Sequence, residues 1–280
     1  MNRNLAFLLT GSLLMLGLTS PAKAENSLDK IQRTGILNIA IREDAAPFGY
    51  SDSRGNPQGY CLDFFALLEE QLVKKLERNT ISVKLLKSTA RNRFTLVSDN
   101  LVELECGPNT IRSDISDDVS FSTSFFVTGT QFLVKQDRQL DLEGDLDNIE
   151  LGVIGDTSTE EFITERYPSA IIRKYRGVTA RNRGVQAVEQ GRIDAMISDG
   201  ILLRAEAQQQ ELSSSEYPLI PDIPLTCDRY GMIIRSNDPA WQDFINSVIN
   251  SPEVEALSKA WFGELFSYTQ PAEDFCQLSK

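Results

Sequence analysis

The chain has 280 residues and no histidine. That absence removes Ser–His–Asp and Cys–His catalysis, imidazole acid–base chemistry and His-based metal sites together. An enzyme would have to work with carboxylates, Lys, Tyr or a cofactor; the residues whose spacing stands out are guanidiniums, carboxylates, hydroxyls at turns and four cysteines. Arg42 ends a predicted strand and runs into Glu43-Asp44; Arg93 follows the predicted turn at Thr89; Asp199 follows the predicted strand Ile193–Ser198. A guanidinium fork matches a carboxylate in two parallel hydrogen bonds. A carboxylate is the natural partner of an ammonium where solvent screening is weak. Asn109 and Thr110 follow Gly107-Pro108 at a strand end, and Thr157 precedes Ser158-Thr159-Glu160. Both places carry free backbone N–H groups that can donate to a capping hydroxyl or to a bound anion. Each residue also has an ordinary structural role. Arg42 could pair with Glu43 on a loop, Arg93 could lie on a helix surface with Arg91 as a competitor, and Asp199-Gly200 could be turn chemistry. No spacing among Glu43, Asp44 and Asp199 singles out an acid–base pair, so this set reads as binding rather than catalysis.

The even set Cys61, Cys106, Cys227 and Cys276 reads as two disulfides in an exported chain. Three connectivities are open. Local pairing would close two loops of about 45–50 residues, each worth about 3–4 kcal/mol in the chain-entropy model. No C-x2-C pair suggests zinc.

Lys plus Arg number 28 against 40 Asp plus Glu, a formal charge of -12. Such a chain lacks the basic footprint that nucleic acid or an anionic bilayer requires. The apolar share of 41% and charged share of 24% are those of a globular protein. At about 100–200 residues per domain the length suits one large domain or two modest ones.

Residues 1–24 carry an export-signal pattern. Met1-Asn2-Arg3-Asn4 is positive, Leu5 to Leu18 is apolar, and Ala22-Lys23-Ala24 offers cleavage after Ala24. The apolar stretch rises only about 21 Å as a helix, short of the roughly 30 Å hydrocarbon core. The mature chain is then 25–280, exported and without a membrane anchor.

Strand and helix patterns alternate along that chain. Strands are predicted at Ile36–Ile41, Ile81–Leu86, Leu101–Cys106, Gln131–Val134, Leu151–Ile154, Ala170–Arg173, Ile193–Ser198 and Gly231–Ile234. Helices are predicted at Leu62–Leu76, from Thr89 to Ser98, and at Ser158–Tyr167, Asn182–Gln190, Ala240–Asn250 and Pro252–Phe266. The alternation argues for parallel α/β sheets. Thr89-Ala90-Arg91-Asn92-Arg93 is echoed by Thr179-Ala180-Arg181-Asn182-Arg183, each leading through a Thr-capped helix into a strand that ends beside Gly. That is one α/β unit in each half. Ligands of open α/β sheets bind outside the carboxyl ends of strands, so two facing units make a binding cleft.

Several blocks in colinear order carry a resemblance: Ala46-Pro47-Phe48-Gly49-Tyr50; Gly55 with Gly59-Tyr60 and Asp63; Val119-Ser120-Phe121-Ser122 with Phe125; Gly155 and Thr157; Gly191-Arg192-Ile193-Asp194-Ala195 with Asp199. The chain resembles the periplasmic solute-binding proteins of polar amino-acid ABC transporters (family 3) from Thr34 to Gly263. Through Arg42-Glu43, Asn92-Arg93 and Glu105-Cys106-Gly107 it looks most like the glutamate/aspartate-binding branch. The resemblance implies a two-lobed α/β fold (type II), two open, mostly parallel sheets joined by two hinge strands. Lobe 1 takes 25–128 and 228–280; lobe 2 takes 129–227. It further implies a monomeric periplasmic binding protein, without cofactor or metal, that closes on an amino acid and docks on a membrane permease. A dehydratase of the cyclohexadienyl type and a ligand-sensing protein acting on a membrane receptor are the alternatives on the same fold.

By the same resemblance, Arg42 and Arg93 face the ligand's side-chain carboxylate, Asn109 and Thr110 and the Thr157 helix start its α-carboxylate, and Asp199 its α-ammonium. Arg181 stands where the acidic branch has a basic lobe 2 residue. One departure concerns the α-carboxylate: Ile115 occupies the position of the family's clamping Arg. Arg112, three residues earlier, would keep roughly the same face on a helix and is expected to substitute. Tyr50, Phe48 and Phe125 either line the cleft or pack the core, and Trp261-Phe262 is read as helix packing.

Overall fold

The computed structural model describes residues 25–52 and 54–278; the predicted export signal lies outside them. Two five-stranded sheets organise the chain. In the first, the order is Ser82–Ser88, Ile36–Arg42, Leu104–Cys106, Ile233–Arg235, Val119–Phe121. Its first three strands are parallel, and Ile233–Arg235 runs antiparallel to both neighbours. The second repeats the plan with Ile171–Tyr175, Glu150–Ile154, Ala195–Asp199, Thr130–Val134 and Leu219–Ile220, the fourth strand again antiparallel to both neighbours. The parallel core of each sheet therefore ends in a returning antiparallel strand. A two-stranded antiparallel ribbon, Phe126–Thr128 against Asp228–Tyr230, carries the chain from one sheet to the other and back.

Apolar alternation places the core. Leu37, Ile39 and Ile41 are fully or almost fully buried on one face of their strand. The helix Tyr60–Lys75 lays Phe64, Leu68 and Leu72 on them at four-residue spacing. It starts at Gly59, whose φ of +127 and whose contact with the Phe48 carbonyl admit no side chain: a Cβ would stand 2.4 Å from that oxygen. Phe48, Phe125 and Phe262 pack with Tyr60, Phe126 and Tyr230 in one aromatic cluster, so Phe48 and Phe125 belong to packing rather than to the cleft. Trp261 donates to Asp63 from its Nε1 at 2.8 Å. The disulfides are Cys61–Cys106 and Cys227–Cys276. The first ties the helix start to the end of a central strand; the second ties the ribbon to the C-terminal helix Phe266–Leu278.

The structure corrects several local expectations. Thr179 does not cap its helix with its side chain, whereas Thr89 closes the turn before the helix Arg93–Ser98, its Oγ1 accepting from the Asn92 N–H at 3.3 Å. Asn92 returns the bond, its Oδ1 accepting from both the N–H and the hydroxyl of Thr89, and so does not itself cap the helix that follows. The segment 107–118 is loop, not helix, so Arg112 is not placed by helical spacing and Thr110 caps nothing. The strand expected from Leu101 begins at Leu104. The predicted helix Pro252–Phe266 ends at Phe262; after a turn at Gly263–Leu265, Phe266–Leu278 continues as helix despite Pro271. The helices Ser27–Thr34 and Gly200–Gln209 are additional to the predicted elements.

Candidate functional site

Arg42, the last residue of its strand, lies in register with Ser88, the last of the neighbouring strand. Asp199 likewise ends a strand of the second sheet. The carboxyl ends of the two sheets thus face one cleft. Arg42, Arg93, Thr110 and Arg112 line it from the first sheet's side; Thr157, Arg181, Ser198 and Asp199 line it from the second's. Of the polar residues to which the resemblance gave a ligand role, Asn109 alone stands back from the cleft: it is fully buried and its Nδ2 donates to Glu105 Oε2 at 2.6 Å. It braces the loop that carries Thr110.

The charges decide what this cleft can hold. Arg42 is 1% exposed, and its Nε and Nη2 donate to the two oxygens of Asp44 at 2.7 and 2.8 Å. Burial opposes its charge, but Asp44 outweighs burial and raises the guanidinium above its ordinary pKa. Glu105, fully buried behind Arg42, accepts from Ser88 Oγ and Asn109 Nδ2, both at 2.6 Å, and burial pushes its carboxyl up. The close approach of this loop depends on Gly107, where a Cβ would meet Arg42 Cγ at 2.7 Å.

Arg93 and Arg181 are buried without an ion-pair partner among the described residues. Burial, followed by the charge of Arg42, lowers Arg93 to about 10, and its Nε has no acceptor among the described residues. Arg91, its competitor in the sequence, is exposed. Arg181 donates from Nη1 to Ser198 Oγ at 2.6 Å and from Nε to the Asp44 carbonyl at 3.2 Å, and burial lowers its pKa. Asp199 is also buried and makes no ion pair among the described residues; it accepts from the Tyr230 hydroxyl, and burial raises its carboxyl against the weaker pull of Arg181 and Arg93. A buried charge left unmatched costs several kcal/mol, so this arrangement is built to be completed by something else.

Arg112 meets the second sheet's side directly. Its Nη1 donates to Glu161 Oε2 at 2.9 Å across the cleft, and its Nε lies 3.5 Å from Asp114. Ile115 packs against the apolar cluster built from Val97, Val102, Val119 and Phe121 and brings no charge to the site. Thr157 caps the helix Ser158–Arg166, its Oγ1 accepting from the Glu160 N–H at 3.2 Å, while the neighbouring Ser158 hydroxyl reaches Thr110 Oγ1 at 3.5 Å. Tyr50 lines an adjoining chamber rather than the cleft. Sequence reasoning gave no binding role to Asp44, Ser198 or Tyr230. Asp44 had a signal, since residues two apart on extended chain point to the same side. Tyr230 had none, because its bond to Asp199 spans 31 positions.

The family model for bacterial extracellular solute-binding proteins, family 3, matches residues 37–264. The glutamate/aspartate import solute-binding protein of Salmonella typhimurium is 28% identical, with 95% of this chain and 90% of that protein covered. The Escherichia coli protein of the same name is 27% identical over 96% and 89%. Among solved structures, an ancestral amino acid-binding protein described as a precursor of cyclohexadienyl dehydratase shares the fold, with a TM-score of 0.71, 22% identity, and 85% of this chain and 100% of that one covered.

Proposed function

The chain belongs to the bacterial extracellular solute-binding proteins, family 3, and on that premise we propose that it captures an acidic α-amino acid between its two lobes and delivers it to the permease of an ABC transporter. It acts by binding, as the named relatives do, and not as an enzyme. The observation that carries the ligand class is the unmatched charge in one cleft: two buried guanidiniums, Arg93 and Arg181, and one buried carboxylate, Asp199. A dicarboxylic amino acid presents the complement, two anions and one cation. In this reading Arg93 and Arg181, with the free end of Arg42, take the distal carboxylate. Thr110, Thr157 and the N–H groups at the start of the helix Ser158–Arg166 take the α-carboxylate, with Arg112 at their edge. Asp199 takes the ammonium.

Lobe 1 comprises 25–128 and 228–280 and lobe 2 comprises 129–227, with the ribbon as hinge. Closure is a population shift, favoured by a ligand that touches both sides. The bonds Arg112–Glu161, Ser158–Thr110 and Arg181–Asp44 are the contacts that opening breaks. The protein works in the periplasm as a monomer after cleavage behind Ala24. The test is a thermal-melt panel on residues 25–280. A ligand at about 100 times its Kd adds about 2.7 kcal/mol, several degrees at this size. Glutamate or aspartate is expected to give that shift and arginine none; silence with both acids refutes the ligand class.

A further inference from the structure

Asp44 is an anion at the border of the cleft: it lines the adjoining chamber and holds Arg42, which lines the cleft itself. Its oxygens occupy the Nε–Nη2 edge of Arg42, the edge a bound carboxylate would use bidentately. The pair is sealed from water, with side-chain exposures of 1% and 7%. The backbone of Asp44 closes the same gap from the other side, where its carbonyl accepts from Arg181 Nε. Beyond that contact lies a separate chamber of about 260 Å³, lined by Asp44 and Arg181 together with Tyr50, Val178 and Glu206. On the cleft side the free space is about 20 Å³, so a ligand is seated only as the two sides part and close on it.

Resting on the acidic amino-acid reading of the cleft, we propose that Asp44 sets the length of the ligand. Its carboxylate holds, on Arg42, the place that the distal carboxylate of a longer ligand would take, and with Arg181 it walls the cleft off from the chamber. A short dicarboxylic amino acid fits in front of the wall; a longer homologue meets a like charge there. Neutralising a buried Arg42 is a structural service, and losing it alone would weaken all ligands alike. A length filter instead changes the ratio between ligands.

The experiment is calorimetric titration of residues 25–280, and of the Asp44→Ala and Asp44→Ser variants, with aspartate, glutamate and 2-aminoadipate. Ser keeps a hydroxyl for Arg42 should Ala prevent folding. Truncation at Asp44 is expected to raise the affinity for 2-aminoadipate relative to aspartate by about tenfold or more, the scale on which one or two methylenes are discriminated. An unchanged ratio in the folded variants, with wild-type binding intact, overturns the length filter and leaves the reading of the cleft standing. A wild-type chain that binds none of the three acids overturns both.

Discussion

Replacing Asp199 by Asn separates its ligand role from its structural one. The carboxylate is buried, its hydrogen-bond partner is the Tyr230 hydroxyl, and burial raises its pKa. Asn preserves the shape and still accepts from Tyr230, so the apo fold loses no hydrogen bond. It gains by no longer burying a charge; a group whose folded pKa lies above its unfolded value costs stability once the pH has risen past that folded pKa. The apo variant is therefore expected to melt at or above the wild-type temperature near neutral pH. Ligand binding behaves oppositely. Removing one partner of a buried ammonium–carboxylate pair costs about 2–5 kcal/mol, on the order of thirty- to several-thousand-fold in Kd at 1.4 kcal/mol per tenfold. Titration calorimetry with glutamate and aspartate, alongside melts without ligand, measures both. Wild-type affinity in Asp199→Asn would refute the ammonium assignment. An apo melt lowered by several degrees would refute the claim that this carboxylate is held for the ligand rather than for the fold.

Other expectations follow from neighbouring groups. Asp228, in the hinge ribbon, is pushed up to about 7, by burial first and the charge of Asp199 second. Against an unfolded value of about 3.9, its contribution to stability is present at low pH and is lost as pH rises towards about 7. The melting advantage of Asp228→Asn over wild type should grow across that window and level off above it; a constant difference would contradict the buried ionisation. Removing the Cys227–Cys276 bridge should cost about 3–4 kcal/mol in the chain-entropy model, read as a lower denaturant midpoint for the double Ser variant. Gly107→Ala places a Cβ against Arg42 Cγ at 2.7 Å and should destabilise by about 1–3 kcal/mol while weakening ligand binding; unchanged melts and affinity would show that the loop can shift. Glu161→Gln breaks the cross-cleft pair with Arg112, which is partly exposed, so stability should change by less than about 1 kcal/mol, while ligand dissociation in stopped-flow fluorescence becomes faster.

What the amino-acid order determined alone is local. Alternating Leu37, Ile39 and Ile41 can bury only one face as a strand; Phe64, Leu68 and Leu72 align only on a helix. Thr157 with Glu160 marks a helix start whatever it packs on. The α/β alternation, the two similar units and the ordered motif blocks follow from such signals, and so do most of the residues that line the cleft. Contacts between distant segments needed the tertiary structure. Spacing allowed three cysteine pairings, and only the packing of the Tyr60–Lys75 helix on the central strand brings Cys61 to Cys106. A helical shift was expected to carry Arg112 into the place of Ile115, but the segment is loop and Arg112 reaches Glu161 on the other side of the cleft. The helix Phe266–Leu278 runs through Pro271 and is anchored at Cys276 beside the ribbon, a contact no local signal announces. Which arginine carries an unmatched charge was likewise undecided. Arg42, Arg93 and Arg181 are one residue type, and they differ because Asp44 reaches only the first with its carboxylate. A buried charge is defined by what shares its low-dielectric volume, and that volume is enclosed by chain segments more than 100 positions apart.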